Sequence, residues 1–215
     1  MKFAIIGATG NVGRKTIDIL EKSKLDIEQL FLVASKNSSG KKIKFKNKDL
    51  TVVAIENYNF EKADITFFAA GSSISEKYAK NASQKTIVID NSKYFRMDKD
   101  VPLIVPEVNP EDIKKHKNII ANPNCSTIQM VLALKPLHKI FKIKRIVVST
   151  YQAVSGAGKA AMDELVSQTK DYLDKKKIKS KNFTKQIAFN LIPHIDVFVE
   201  DGYTQEEWKM RLKKY

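Results

Sequence analysis

Short apolar runs alternate with amphipathic stretches through the first half of the chain. Phe3-Ala4-Ile5-Ile6 has the unbroken apolar character of a buried strand, and Val12, Thr16, Ile19 and Leu20 then recur at helical spacing. Leu30 to Ala34, Val52 to Ile55, Ile65 to Ala69, Thr86 to Ile89 and Ile119 to Ala121 read as further strands, with a helix near Ile74 to Asn81. Strands alternating with helices predict a mostly parallel sheet covered on both faces. Past Cys125 the pattern changes. Thr127 to Ile140 reads as an apolar helix, Ile143 to Tyr151 as a strand rich in β-branched residues, and Ala160 to Leu173 as another helix. Asp174 to Lys185 is a lysine-rich, exposed connection, and Ile187 to Val199 returns to an extended apolar pattern broken at Pro193-His194. We place a domain boundary near Asn124, giving segments 1–124 and 125–215, with no low-complexity linker and no internal repeat.

Composition narrows the class. The 215 residues are 43% hydrophobic and suffice to bury a sizeable core. The single cysteine excludes an internal disulfide framework and points to a reducing, cytoplasmic setting. No apolar run approaches the roughly 20 residues of a membrane span, so no membrane association is expected. MKFAIIGATG turns straight from a short apolar run into glycines, which reads as a first strand and not a signal peptide. The net charge of +14 is compatible with a polyanionic partner. The lysines, however, are scattered, densest at 41–48 and 170–185, and no aromatic residues interleave with them as a single-strand-binding surface requires. A solvated surface is expected, without nucleic acid and without a metal site.

The first chemical signal is GATGNVG, residues 7–13, directly after a strand and before a helix. Gly7 and Gly10 permit a tight turn and close approach of a phosphate, and Gly13 permits close helix packing. The helix N-terminus offers N–H groups and a favourable dipole to a pyrophosphate. Gly7, Thr9, Gly10, Asn11 and Val12 are the candidate cofactor contacts of a Rossmann-like domain. The second strand then separates NAD from NADP. An NAD site places an acid at its end to hold the ribose 2′-hydroxyl. Here the strand runs into SKNSSGKK, which has none. Ser35 and Ser38, with Lys36 and Lys41, suit a 2′-phosphate, Asn37 of the same turn is a further candidate cofactor contact, and NADP(H) is the expected cofactor.

The second signal is Cys125 in NPNCSTIQM. A nucleophilic cysteine needs a stabilised thiolate, and a following helix supplies a favourable dipole and N–H donors for an oxyanion. Free cysteines are also commonly buried and inert. On position alone both readings stay open.

The wider text favours the nucleophile. GATGNVG, AGSSIS, DNSKYFR, VPEVNP, NPNCSTIQM, STYQAVSGAG, FNLIPHIDVF and EDGYTQEEWK occur in this order. Together they closely resemble the aspartate-β-semialdehyde dehydrogenases of bacteria, from Met1 to about Met210. The resemblance implies an α/β fold in which a Rossmann-like domain precedes an α+β catalytic and dimerisation domain, here incomplete. It implies NADPH-dependent reductive dephosphorylation of L-aspartyl-4-phosphate to L-aspartate-4-semialdehyde and phosphate. That reaction leads to lysine, methionine, threonine, isoleucine and diaminopimelate. It makes Cys125 the nucleophile that forms an acyl-thioester, and Gln152 the amide that positions substrate beside it. By the same resemblance Arg96 binds the substrate phosphate, Glu206 contacts the substrate amino group, and Lys209 helps hold phosphate. Ser155 and Gly156 contact the cofactor near its nicotinamide, and Asn124 shapes the thioester site. A homodimer or homotetramer is implied at full length. The QAVSGAG and EEWK segments argue against the related N-acetyl-glutamyl-phosphate reductase.

Two departures stand out. Asn37 occupies the place where the family carries an arginine for the 2′-phosphate, leaving Lys36 or Lys41 to compensate. The family also continues well past EEWKM, into an arginine for the substrate α-carboxylate and a histidine acting as acid and base. Here the text leaves the pattern at Arg211 and ends RLKKY, as a frameshift or premature stop would produce. His116, His138 and His194 do not match that histidine. Full activity is therefore not expected of these 215 residues, and the alternative is a non-catalytic NADP-binding remnant.

Overall fold

The computed structural model describes residues 1–212. It divides into two compact units, Met1–Val148 and Ser149–Tyr215. The helix that follows Asn124 packs Val131 and Ile128 against Val105 and Val108 of the first unit.

The first unit is built on a six-stranded sheet. Its strands are β1 (Lys2–Ile6), β2 (Gln29–Ala34), β5 (Val53–Ala54), β6 (Ile65–Phe68), β7 (Ile87–Asp90) and β8 (Ile119–Ala121). All pairings are parallel, in the order β5-β2-β1-β6-β7-β8. Alternation places successive side chains on opposite faces. Ala4 and Ile6 of β1, with Val33 and Phe68, join Ala79 and Ala82 of helix α2 (Ser72–Ala82) on one face. Phe3 and Ile5, with Leu30 and Leu32, join Ile17 and Leu20 of helix α1 (Asn11–Lys22) on the other. Burial on both faces is why these strands read as unbroken apolar runs. The covered face of α1 is Gly13, Ile17 and Leu20, whereas Val12 and Ile19, which helped reveal the helix, stay exposed.

Between β2 and β5 the chain inserts an antiparallel hairpin, β3 (Lys42–Phe45) with β4 (Lys48–Thr51), which the sequence reading did not anticipate. Its KIKF strand alternates, with Ile43 and Phe45 buried against the α1 face and the lysines outside. The strand expected over Val52–Ile55 shrinks accordingly. Val52 closes the hairpin by donating its N–H to the Lys41 carbonyl at 2.8 Å, and Ile55 opens a 3-10 turn.

Helix α3 (Cys125–Phe141) follows β8, contains Pro136, and ends at Lys142 in the left-handed region. No described residue of 143–151 joins a ladder, so the strand expected there is corrected. β propensity favours an extended backbone but supplies no partner strand, and Val147 and Tyr151 stay 81% and 87% exposed. Ile187–Val199 likewise forms no strand, only an isolated bridge from Phe198 to Thr204.

In the second unit, helix α4 (Lys159–Leu173) holds its neighbouring segment through polar side chains. Glu164 accepts from the N–H groups of Lys181 at 3.0 Å and Asn182 at 2.6 Å, from the Asn182 side-chain amide at 2.6 Å, and from Gln168 at 3.0 Å. Gln168 donates to the Lys179 carbonyl and accepts from the N–H groups of Ile187 and Ala188. Burial pushes the Glu164 carboxyl up, but the N–H groups of Asn182, Lys181 and Phe183 and the Asn182 amide outweigh it and hold it below the usual glutamate range. Among the described residues, no helix is long and apolar enough to cross a membrane.

Two outcomes follow. An alanine at Gly13 would set its Cβ 2.2 Å from the Gly7 carbonyl oxygen. Gly13→Ala should cost about 1–3 kcal/mol, as overpacking does, read as a lower urea midpoint. The Glu164 contribution is fully present above the ordinary glutamate pKa and is lost as pH falls through the lowered folded value. Hydrogen-exchange protection of the Lys181 and Asn182 amides, corrected for intrinsic rate, should fall in that acid window, while protection in β1 holds.

Candidate active site

Because the six strands are parallel, all their carboxyl ends lie along one edge of the sheet. From β1 the chain proceeds outward to β2 and β5 on one side and to β6, β7 and β8 on the other. The crevice at such a reversal is where open α/β sheets bind ligands. The segments that carry the first unit's candidates leave this edge, beginning at Gly7 after β1, Ser35 after β2, Asn91 after β7 and Asn122 after β8.

The glycine loop is pinned by backbone bonds. Gly7 and Ala8 both donate to the Val33 carbonyl, at 2.8 and 3.1 Å, and Gly10 donates to the Gly7 carbonyl at 3.0 Å. Gly7 has φ +89°, and a Cβ there would lie 2.7 Å from the Ala69 carbonyl oxygen. The loop thus abuts the AGSSIS turn at the end of β6, a neighbour that sequence spacing did not reveal. Helix α1 begins at Asn11 with Gly10 as its cap and no side-chain cap bond. Its first N–H groups open on a surface where Gly10, Asn11 and Val12 are exposed and Thr9 is half-buried.

Thr9 donates its hydroxyl to the Ser38 oxygen across 3.4 Å, joining the glycine loop to the turn after β2. That 3-10 turn, Lys36–Ser38, presents Asn37 as well, and Ser38 donates its N–H to the Ser35 carbonyl at 2.9 Å. Hydroxyls, one amide and the Lys36 ammonium lie on it, with no carboxylate. A glycine cradle that a Cβ would fill, an uncapped helix start and this acid-free turn fit a dinucleotide.

Asn124 is the N-cap of α3, accepting at its side-chain oxygen from the Thr127 N–H at 3.2 Å and from the Thr127 hydroxyl. Cys125 is therefore the first helical residue. It is exposed, with its sulfur 4.0 Å from the Ser126 hydroxyl.

Arg96 is half-buried and tied to this segment. Its Nε donates to the Asn122 carbonyl at 2.9 Å and its Nη2 to the Asn91 carbonyl at 3.0 Å. The Asn122 amide in turn donates to the Asn91 side-chain oxygen at 2.5 Å. One guanidinium thus spans the ends of β7 and β8, three residues ahead of Cys125. A small depression lined by Lys80, Phe95, Asp98, Asp100, Val101, Lys117 and Ile119 contains none of the candidate residues.

The remaining candidates belong to the second unit. Gln152 is exposed and accepts from the Thr150 hydroxyl at 3.2 Å. Ser155 and Gly156 lie in a 3-10 turn, Val154–Ala157, just before α4. Glu206 is half-buried on helix α5 (Gln205–Leu212). Lys209 is on the same helix, with its side chain outside the described residues. The cap of α5 distinguishes the two adjacent glutamates. Glu207 accepts from the Thr204 N–H at 2.7 Å and the Thr204 hydroxyl at 3.0 Å, and Thr204 accepts from the Glu207 N–H at 3.3 Å. This reciprocal capping box occupies Glu207, whose carboxyl the Thr204 N–H and hydroxyl hold below the usual range.

A parallel sheet with a glycine loop at its reversal point defines a Rossmann-type nucleotide-binding domain, and an exposed, helix-leading cysteine lies on the same edge. Comparison with known proteins narrows this. Residues 2–116 match the family model "Semialdehyde dehydrogenase, NAD binding domain", and residues 134–214 match "Semialdehyde dehydrogenase, dimerisation domain". The chain belongs to the semialdehyde dehydrogenase family. It is 56% identical to an aspartate-semialdehyde dehydrogenase of Aquifex aeolicus, over 97% of this chain and 63% of the relative. It is 49% identical to aspartate-semialdehyde dehydrogenase 2 of Vibrio cholerae, over 96% and 62%. The crystal structure of the Vibrio cholerae enzyme II complexed with ASA matches with a TM-score of 0.95 at 48% identity, covering 97% of this chain and 63% of that one. A Candida albicans aspartate semialdehyde dehydrogenase solved with NADP matches at TM-score 0.56 and 33% identity, over 65% of this chain and 47% of that one. This chain thus spans a little under two thirds of the length of these bacterial relatives.

The capping box yields a test. Thr204→Ala should cost about 1 kcal/mol of helix stability, and Glu207→Ala should also loosen α5. Glu206→Ala should leave the helix intact, as read by amide exchange across 205–212.

Proposed function

We propose that the protein, at full length, carries out NADPH-dependent reductive dephosphorylation of L-aspartyl-4-phosphate to L-aspartate-4-semialdehyde. The observation that carries the reading is the exposed Cys125 leading α3, with Arg96 bound to the segment just before it. The names of the relatives support the substrate. In this reading the Cys125 thiolate attacks the acyl carbon of the aspartyl phosphate. The carbon–oxygen bond to phosphate breaks, phosphate leaves, and an acyl-thioester remains on Cys125. NADPH, when bound, supplies the hydride that takes the thioester to the aldehyde.

The chain's own residues bind and orient. Arg96 and Lys209 hold the phosphate, for which a guanidinium fork is well matched. Gln152 and Asn124 orient the acyl group, an amide being able to donate and accept without charge. Glu206, free of the cap that occupies Glu207, meets the substrate ammonium. Gly7, Thr9, Gly10, Asn11 and Val12 receive the pyrophosphate, Ser35, Asn37 and Ser38 the 2′-phosphate, and Ser155 and Gly156 the nicotinamide end. Residues 1–124 serve cofactor binding and 125–215 belong to catalysis and subunit association, as a homodimer or homotetramer in the cytoplasm. A second reading, cofactor binding without turnover, is favoured by the segment 143–151, which joins no ladder just ahead of Gln152.

The test is to incubate the protein with L-aspartate-4-semialdehyde and NADP⁺ without phosphate, then map Cys125 by mass spectrometry. An aspartyl adduct at Cys125, released by added phosphate and absent from Cys125→Ser, is expected. NADP⁺ binding without any adduct would favour the second reading. Loss of NADP⁺ binding on Ser38→Asp, with NAD⁺ unaffected, would support the 2′-phosphate turn.

A further inference from the structure

The geometry points to Asp90 as a positioning residue for Arg96, an inference that rests on the phosphate-binding role proposed above. Asp90 ends β7 and is 0% exposed. A buried carboxylate is costly unless its oxygens are satisfied. One oxygen accepts from the Ser75 hydroxyl at 2.6 Å and from the Ser92 N–H at 3.2 Å. The other accepts from the Ser92 hydroxyl at 2.7 Å. Ser75 belongs to α2, so the carboxylate ties the loop after β7 to the helix that covers the sheet.

The same contacts shape the turn that presents Arg96. Ser92, once bonded to Asp90, accepts at its hydroxyl from the Tyr94 N–H at 3.1 Å. Tyr94 meets the buried Phe95 ring edge-on at 4.8 Å. Arg96 follows and closes the turn by reaching back to the Asn91 and Asn122 carbonyls. Asp90 holds one end of the loop, and Arg96 the other. The Asp90 carbonyl also accepts from the Asn122 N–H at 2.9 Å, so both carbonyl anchors of the guanidinium flank this one residue. Sealed from solvent, Asp90 cannot touch substrate, and its effect on phosphate must pass through Arg96. The chemistry explains the residue type. Three donors converge, and only a carboxylate accepts at both oxygens without presenting a hydrogen. Asparagine would aim an N–H₂ at one of these donors.

The probe is inorganic phosphate, read as protection of Cys125 from alkylation by iodoacetamide in the full chain. Arg96→Ala should weaken protection by about tenfold or more, and Asp90→Asn and Ser92→Ala by about threefold to tenfold. For Asp90→Asn and Ser92→Ala the alkylation rate without phosphate should not change. In an Arg96→Ala background, Asp90→Asn should add nothing. If Arg96→Ala weakens protection and neither Asp90→Asn nor Ser92→Ala does, the inference falls while the phosphate role of Arg96 stands. An equal loss from Asp90→Asn with and without Arg96 also overturns it. If phosphate gives no protection, or protection survives Arg96→Ala, the phosphate role and the inference fall together. Should Asp90→Asn lose its cooperative thermal transition, Ser92→Ala, which keeps the buried carboxylate and its bond to Ser75, decides the matter.

Discussion

Everything at the carboxyl edge depends on three stretches of backbone that meet without side chains between them. Helix α1 approaches the glycine loop so closely that a Cβ at Gly13 would overlap the Gly7 carbonyl, and the loop in turn abuts Ala69 and Ala70. Any methyl group there would lift the helix from the sheet and move its N-terminus away from the reversal point. The helix start, the end of β6 and the loop after β1 are therefore fixed together, and the hydroxyl contact between Thr9 and Ser38 extends this fixed region to the turn after β2.

The opposite half of the same edge is organised by polar bonds instead. The ends of β7 and β8 are joined by the Asn91–Asn122 amide bond and by a guanidinium that spans both carbonyls. Beneath them lies a fully buried acid served by two serines. A low-dielectric site makes such bonds strong when complete and costly when broken, and together they hold the Arg96 guanidinium in one place. The second unit shows the same economy in a different form. There Glu164 and Gln168 order a long irregular segment that lacks a ladder of its own.

Much of the scaffold was legible because its strands are buried on both faces and its helices are long. β1, β2, β6, β7 and β8, and α2, α3 and α4, all stand where the apolar spacing put them. The hairpin escaped notice because KIKF sits in a lysine-rich stretch where charge masks a two-residue alternation. The segment 143–151 misled in the opposite sense: strong β propensity says nothing about whether a partner strand is within reach. At the site, the cap formed by Asn124 follows from its place before a helical run. The bonds from Arg96 to Asn91 and Asn122 do not, since the second crosses 26 residues of sequence and exists only because β7 and β8 are neighbours. The choice of Glu207 over Glu206 as the cap was likewise hidden in EEWK, where Thr204 lies two residues ahead of the first glutamate.

The outer strands of the main sheet are its shortest. β5 has two residues and β8 three. Exposed strand edges are templates for pairing with another chain, and short ones offer few unpaired backbone groups. The sheet is consequently self-limiting. A colliding molecule finds little edge to extend, because β5 offers two residues and the outer side of β8 already bonds to the chain itself, the Ala121 N–H donating to the Pro102 carbonyl at 2.9 Å and the Ile104 N–H to the Ala121 carbonyl at 3.0 Å.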